Sequence, residues 1–304
     1  MARRPSSSTA RRRHQHPAPC RSSSSQPIDT TTTPSAAKPD PWRDVPLTEY
    51  RDSWLDRLLI GLFTRKLAAA AGVPATLGAA STVEYSDFVR VARDDIMARS
   101  KLPPAQQRAM VLRVLLSLMP PGLPAAFRAL FPPTKLSAEL NARIAAATFR
   151  WLVGEMELRE GEVVVDVVAP SSGGDPSTTP TTTTTTRLQR SVVHIKRCRF
   201  LEQSGCAGAC VQMCKLPTQE FFANEFGLPL TMTPNFEDLS CDMVFGQKAP
   251  LPEEDPALRQ PCFALVCPTS VPVAPSCPQV LAAAASVDSL GSSGSSSGSS
   301  VDAV

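Results

Sequence analysis

The chain is predicted to be α+β, with a mainly helical N-terminal half. A short β-hairpin then leads into a Cys-rich metal- or cluster-binding region with short helices. Three observations carry this expectation. Apolar residues recur at helical spacing through residues 46–160. Two β-branched runs, 162–168 and 188–196, flank a tract of Thr, Ser, Pro and Gly. Seven of the nine cysteines fall within 198–267: Cys198, Cys206, Cys210, Cys214, Cys241, Cys262 and Cys267.

The first residues are expected to form a leader. Residues 1–28 hold six arginines, seven serines and no acid, the composition of an organelle transit peptide without the apolar core of a secretion signal. Pro34, Pro39, Pro41 and a Thr run extend the unstructured lead to residue 45. The whole chain carries 31 basic and 28 acidic residues, but the six leader arginines leave 25 against 28 beyond residue 28, a net −3. A slightly acidic body gives no electrostatic footprint for nucleic acid.

The helical half follows. Ser53 is a good N-cap with Asp56 at the third helical position. Leu55, Leu58, Leu59, Leu62 and Phe63 then keep helical spacing and are expected to bury a shared core. A second helix carries Tyr85, Phe88, Val89, Ala92 and Ile96, and a third runs from Pro103 and Pro104 to Met119. Another starts near Ser137, with Leu140, Ile144, Ala147, Thr148 and Trp151 on one side. The uncharged stretch 114–127 is too short to span a bilayer and reads as buried hairpin rather than a surface dipping into a membrane.

The hairpin has strands at 162–168 and 188–196 around a floppy loop, 169–187. After the first cysteines, Pro217 and Thr218 open a helix with Phe221, Phe222 and Phe226 on its apolar side and Gly227 as its stop. A turn at 235–241 is expected to enter a short helix. The Gly/Ser-rich tail, 271–304, reads as disordered.

Cys206, Cys210 and Cys214 recur every fourth residue, so on a helix they form one stripe. Gly205 and Gly208 weaken its first turn. The density admits a metal or iron–sulfur site, a disulfide framework or buried apolar thiols. For the first, Cys206, Cys210, Cys214 and Cys241 are the expected ligands, with Cys198, Cys262 and Cys267 in reserve. His194 is the one histidine outside the leader, so a two-His-one-carboxylate iron site is excluded, and neither a GxSxG elbow nor a P-loop is present. No catalytic residue is singled out; Glu220, Glu237 and Asp238 are candidate proton donors, each with an ordinary reading as cap or surface charge.

The blocks GCAGACVQMCKLPTQEFF, PNFEDLSCDMVFGQ and DPALRQPCF, with YRDSWLDRLLIGLFTRKL and RWLVGEMEL upstream, closely resemble the plastid β-carotene isomerase family across about residues 48–270. The resemblance implies an isomerase exchanging all-trans and 9-cis β-carotene, or a closely related isomer, early in strigolactone formation. It implies iron, mononuclear or in a cluster, and a plastid location, in the stroma or peripheral on membranes. A thiolate-bound iron centre can lend and recover an electron, lowering the bond order of a polyene. Because the substrate is a hydrocarbon, the helical region 46–160 is expected to hold it in an apolar groove and the protein to touch plastid membranes. The alternative is a non-catalytic iron–sulfur or zinc protein serving electron transfer or assembly.

Overall fold

The computed structural model describes residues 46–73, 77, 82–100, 102–168 and 182–261. The leader, the tail, Cys262 and Cys267 lie outside the described residues. Among the described residues no helix is long and apolar enough to cross a membrane.

Helix α1, Trp54–Ala70, starts on the expected cap: the Ser53 hydroxyl accepts from the Asp56 amide and Asp56 returns the bond to the Ser53 amide. Its buried face is Ile60, Phe63, Thr64, Leu67 and Ala68. Leu55, Leu58 and Leu62, expected in the core, are instead exposed. The stripe is apolar on more than one side, and periodicity alone does not say which side is covered.

Helix α2, Tyr85–Val89, runs on as a wide π-helical segment, Arg90–Arg99, burying Phe88, Val89, Ala92 and Ile96 as expected. Helix α3, Pro104–Ser117, buries Met110, Val111 and Val114. Beyond Val114 the uncharged stretch comes to the surface, since α4, Leu123–Leu130, has no buried residue. The buried-hairpin expectation therefore fails, because three prolines and Gly122 hold the chain in an exposed turn. Helix α5, Lys135–Thr148, is capped by the Thr134 hydroxyl. It buries Ser137, Ala138, Asn141, Ala142 and Ala145, while Ile144 stays exposed. Small residues on that side let α5 lie close against β1, β2 and β4, so the sheet selects the Ala face over the larger Leu/Ile face.

After the short α6, Arg150–Val153, Gly154 turns the chain at φ +95, where a Cβ would meet the Arg197 carbonyl oxygen at 3.0 Å. Strands β1, Met156–Val168, and β2, Thr182–Ile195, then pair antiparallel. β2 begins earlier than expected: residues 182–187 belong to the strand, with Thr182 opposite Val168 and Arg187 opposite Val163. Threonine is β-branched, and the facing valine run gives it a partner.

Among the described residues the sheet has four strands, not two. Strands β3, Leu230–Pro234, and β4, Cys241–Phe245, complete the order β1-β2-β4-β3, every pairing antiparallel. The short helix expected beyond 235–241 is strand β4, whose alternating burial marks one covered face. Between β2 and β3 lie α7, Arg199–Ser204; α8, Ala207–Ala209; a π-helical segment, Cys210–Lys215; and α9, Leu216–Glu225. Helix α9 buries Phe221 and Phe222 and ends before Gly227, as the sequence suggests.

Candidate functional site

The site forms where β2, α7, the Cys210–Lys215 segment and β4 meet. β2 delivers the chain through Ile195 into Cys198, which is the N-cap of α7: its Sγ accepts from the Leu201 amide at 3.5 Å. The Cys198 amide donates to the Leu239 carbonyl at 2.7 Å, tying this cap to the turn before β4.

An N-terminal clamp fixes α7. Glu202 is fully covered and accepts from the Thr48 amide and hydroxyl at 2.9 Å, Tyr50 at 2.8 Å and Arg197 at 2.6 Å. Burial raises its pKa, but these bonds outweigh it and hold the carboxyl below its ordinary value. Arg199 meets both oxygens of Asp52 at 2.6 and 2.7 Å, and its guanidinium lies over the Tyr85 and Tyr50 rings.

Gly205, in the left-handed region at φ 55, ends α7 and lets the chain restart at Cys206. Cys206 is the N-cap of α8, its sulfur accepting from the Ala209 amide at 3.4 Å. The three-cysteine stripe is thus divided. Cys206 is spent on a cap, while Cys210 and Cys214 look into a cavity of about 10 Å³ together with Cys198 and Cys241. Val153, Ile195, Phe200, Leu201 and Met232 supply apolar wall. Of the four expected ligands, the structure brings together Cys210, Cys214 and Cys241, and adds Cys198 from the reserve set. Cys198 is separated from the repeat by one short helix, α7; it lies eight residues before Cys206, two steps of the same four-residue register, and that spacing and its place as a helix cap are the signals available in sequence.

Burial dominates the electrostatics. It pushes Cys198 up to about 11 and Cys214 up to about 12, the latter helped by Cys198. Cys210 and Cys241 go well above the ordinary thiol value, through burial first and neighbouring thiols second. At neutral pH the four groups are neutral thiols. Lys215, 1% exposed, stands against them and partly opposes the rise at Cys210 and Cys241. Its ammonium is held by Asp255 at 2.7 Å, Gln219 at 3.0 Å and the Met232 carbonyl at 2.6 Å. This buried ion pair is not legible in sequence, because its partners lie forty residues apart.

The donor chemistry suits iron, since thiolates are its ligands in iron–sulfur proteins. The placement does not: among the described residues no three His, Cys, Asp or Glu side chains are grouped so as to hold a metal ion. As folded here, the thiols are a neutral nest with an apolar wall.

The other candidates stand apart. Glu237 and Asp238 are exposed in the β3–β4 turn, where Asp238 accepts from the Ser240 amide, and Glu220 is half-buried. His194 bonds Asp242 at 2.7 Å on the face of the sheet opposite the buried Cys241. That alternation separates the imidazole from the thiols.

Comparison with known proteins accords with this anatomy. The family described as Beta-carotene isomerase D27-like, C-terminal, matches residues 151–254, which hold the sheet and all four thiols. A chloroplastic Beta-carotene isomerase D27 of Medicago truncatula is 34% identical over 216 residues, 71% of this chain and 74% of the relative. The protein of the same description from Arabidopsis thaliana is 36% identical over 212 residues, 70% of each chain. No solved structure matches significantly. By the extent and level of this identity, the chain belongs to the beta-carotene isomerase D27 family.

Proposed function

We propose that this protein is a plastid cis–trans isomerase exchanging all-trans and 9-cis β-carotene, or a closely related carotenoid, early in strigolactone formation. The observation that carries the reading is identity of 34% and 36% to proteins named as β-carotene isomerases, beside a family match over 151–254 that takes in Cys198, Cys210, Cys214 and Cys241. The chemistry of the site is compatible with it. Isomerisation consumes neither water nor a net oxidant, and the cavity offers apolar wall and neutral thiols. A cavity of about 10 Å³ is at the lower limit for one water. A polyene therefore reaches the thiols only when the wall parts, and Gly205, between α7 and α8, is the proposed point of yielding.

The test is incubation of purified protein with each isomer separately, followed by chromatographic resolution. Both reactions are expected to converge on one mixture. Persistence of each starting isomer beyond its thermal background would refute the assignment.

Thiolate-bound iron is a second reading, supported by the donor chemistry of the four cysteines that line the cavity rather than by their spacing as folded. Loading would require the thiols to close together and release protons. Bound iron lost in Cys→Ser variants of these four, and retained in Cys206→Ser, would support it. Purified active protein without iron would end it.

Plastid import is supported by the leader's composition and by relatives described as chloroplastic. Peripheral contact with plastid membranes is proposed because the substrate dissolves in lipid and not in water.

A further inference from the structure

The outward side of α1 is an apolar stripe on an otherwise well-covered helix. Trp54 is 77% exposed, and Leu55, Leu58 and Leu62 are 46%, 44% and 42% exposed. At about 100° per residue these four fall within roughly 100° of arc. The stripe continues onto α3, because the Lys66 ammonium donates to the Ser117 carbonyl and hydroxyl at 3.1 Å, next to the exposed Leu118.

Charge around the stripe is mainly positive, Glu49 ahead of α1 being an exposed exception. Arg65 falls within the same arc and Lys66 just beyond its edge, Arg51 and Arg57 are exposed at its N-terminal end, and Arg113 is exposed on α3. The two helices contain a single acid, Asp56, which is engaged in the capping box. Asp52, just ahead of α1, is held by Arg199. An apolar strip with an exposed indole and a cationic surround matches the boundary between anionic headgroups and acyl chains.

We infer that α1 is a membrane-docking helix, seating Trp54, Leu55, Leu58 and Leu62 in the interface of an anionic bilayer. The inference deepens the carotenoid reading and rests on it for its biological sense. The inward side of the same helix supports the connection. Phe63 packs on Phe88 at 5.4 Å between centroids, and Phe88 on Phe200 at 5.3 Å, so packed rings link α1 to the wall of the thiol cavity.

The test uses the full chain and vesicles of phosphatidylcholine with about 30 mol% phosphatidylglycerol, some acyl chains brominated. Tryptophan quenching is read against a Trp54→Phe control, so binding by the basic leader alone does not register. The wild type is expected to show Trp54 quenched and blue-shifted, with affinity falling as salt rises. Leu58→Glu/Leu62→Glu, checked for folding by circular dichroism, is expected to weaken the effect at least about tenfold. Absence of Trp54 quenching in the wild type overturns the inference without need of any variant. So does a solution dimer that the double variant dissolves, which would make the stripe an interface between copies. Isomerisation of detergent-dispersed carotene is measured separately. Activity there without Trp54 quenching refutes the docking helix and leaves the isomerase reading intact. Quenching without isomerase activity supports the helix while removing that reading.

Discussion

Cys198 and Cys206 divide the work that spacing alone would assign to Cys206. Each caps a short helix through its sulfur, yet Cys198 lines the cavity with Cys210, Cys214 and Cys241. Because burial raises these thiols, the folded state keeps protons that the unfolded chain releases above about 8.5. Their contribution is therefore complete below that pH and is lost as pH climbs toward about 11 at Cys198 and about 12 at Cys214. Urea unfolding of the metal-free protein should show stability falling across this alkaline range, by up to about 1.4 kcal/mol per pH unit for each thiol. Cys198→Ser should flatten the slope, and an unchanged slope would show that Cys198 is not held neutral. Metal loading would reverse the dependence, with stability falling instead on acidification, because protons then compete with the metal for sulfur.

At the scale of elements, two buried or partly buried ion pairs hold the cavity's walls. Asp255→Ala leaves the Lys215 ammonium without its carboxylate in a covered site and should cost about 3–5 kcal/mol. Asp52→Ala removes both oxygens from Arg199, whose side chain is 4% exposed, and should cost about 2–3 kcal/mol, Asp52 itself being partly solvated. Denaturant midpoints measure both; losses under about 0.5 kcal/mol would show these pairs to be incidental. Neither pair is visible in sequence, since each joins residues far apart in the chain. What was legible depends on local signals: the Ser53 capping box, the proline start of α3, the Gly227 stop and the valine run of β1. What was missed depends on partners. β4 reads as a short helix until β2 and β3 lie on either side of it, and the Ala face of α5 wins only because the sheet needs close approach. The Cys repeat lies in the stretch that lines the cavity, but a left-handed Gly205 and a π-helical turn decide which sulfurs face it.

At the scale of the whole molecule, the parts form a sequence from surface to site. The leader is expected to direct import: residues 1–45 fused to a fluorescent protein should enter plastids, and a cytosolic signal would contradict that. Helix α1 presents apolar surface outward and aromatic rings inward, and the clamp of Thr48, Tyr50 and Asp52 fixes the helix that Cys198 caps. The central claim is that the four-thiol cavity, and not the Cys206 stripe, serves carotene isomerisation. The most direct measurement is the rate of all-trans to 9-cis β-carotene conversion in the wild type and in Cys→Ser variants at 198, 206, 210, 214 and 241. Loss of about tenfold or more is expected at Cys198, Cys210, Cys214 and Cys241 in proteins that remain folded. A Cys206→Ser enzyme is expected to stay close to wild type, because serine caps a helix as well as cysteine does. A Cys206→Ser variant that is inactive beside a fully active Cys198→Ser variant would contradict the central claim.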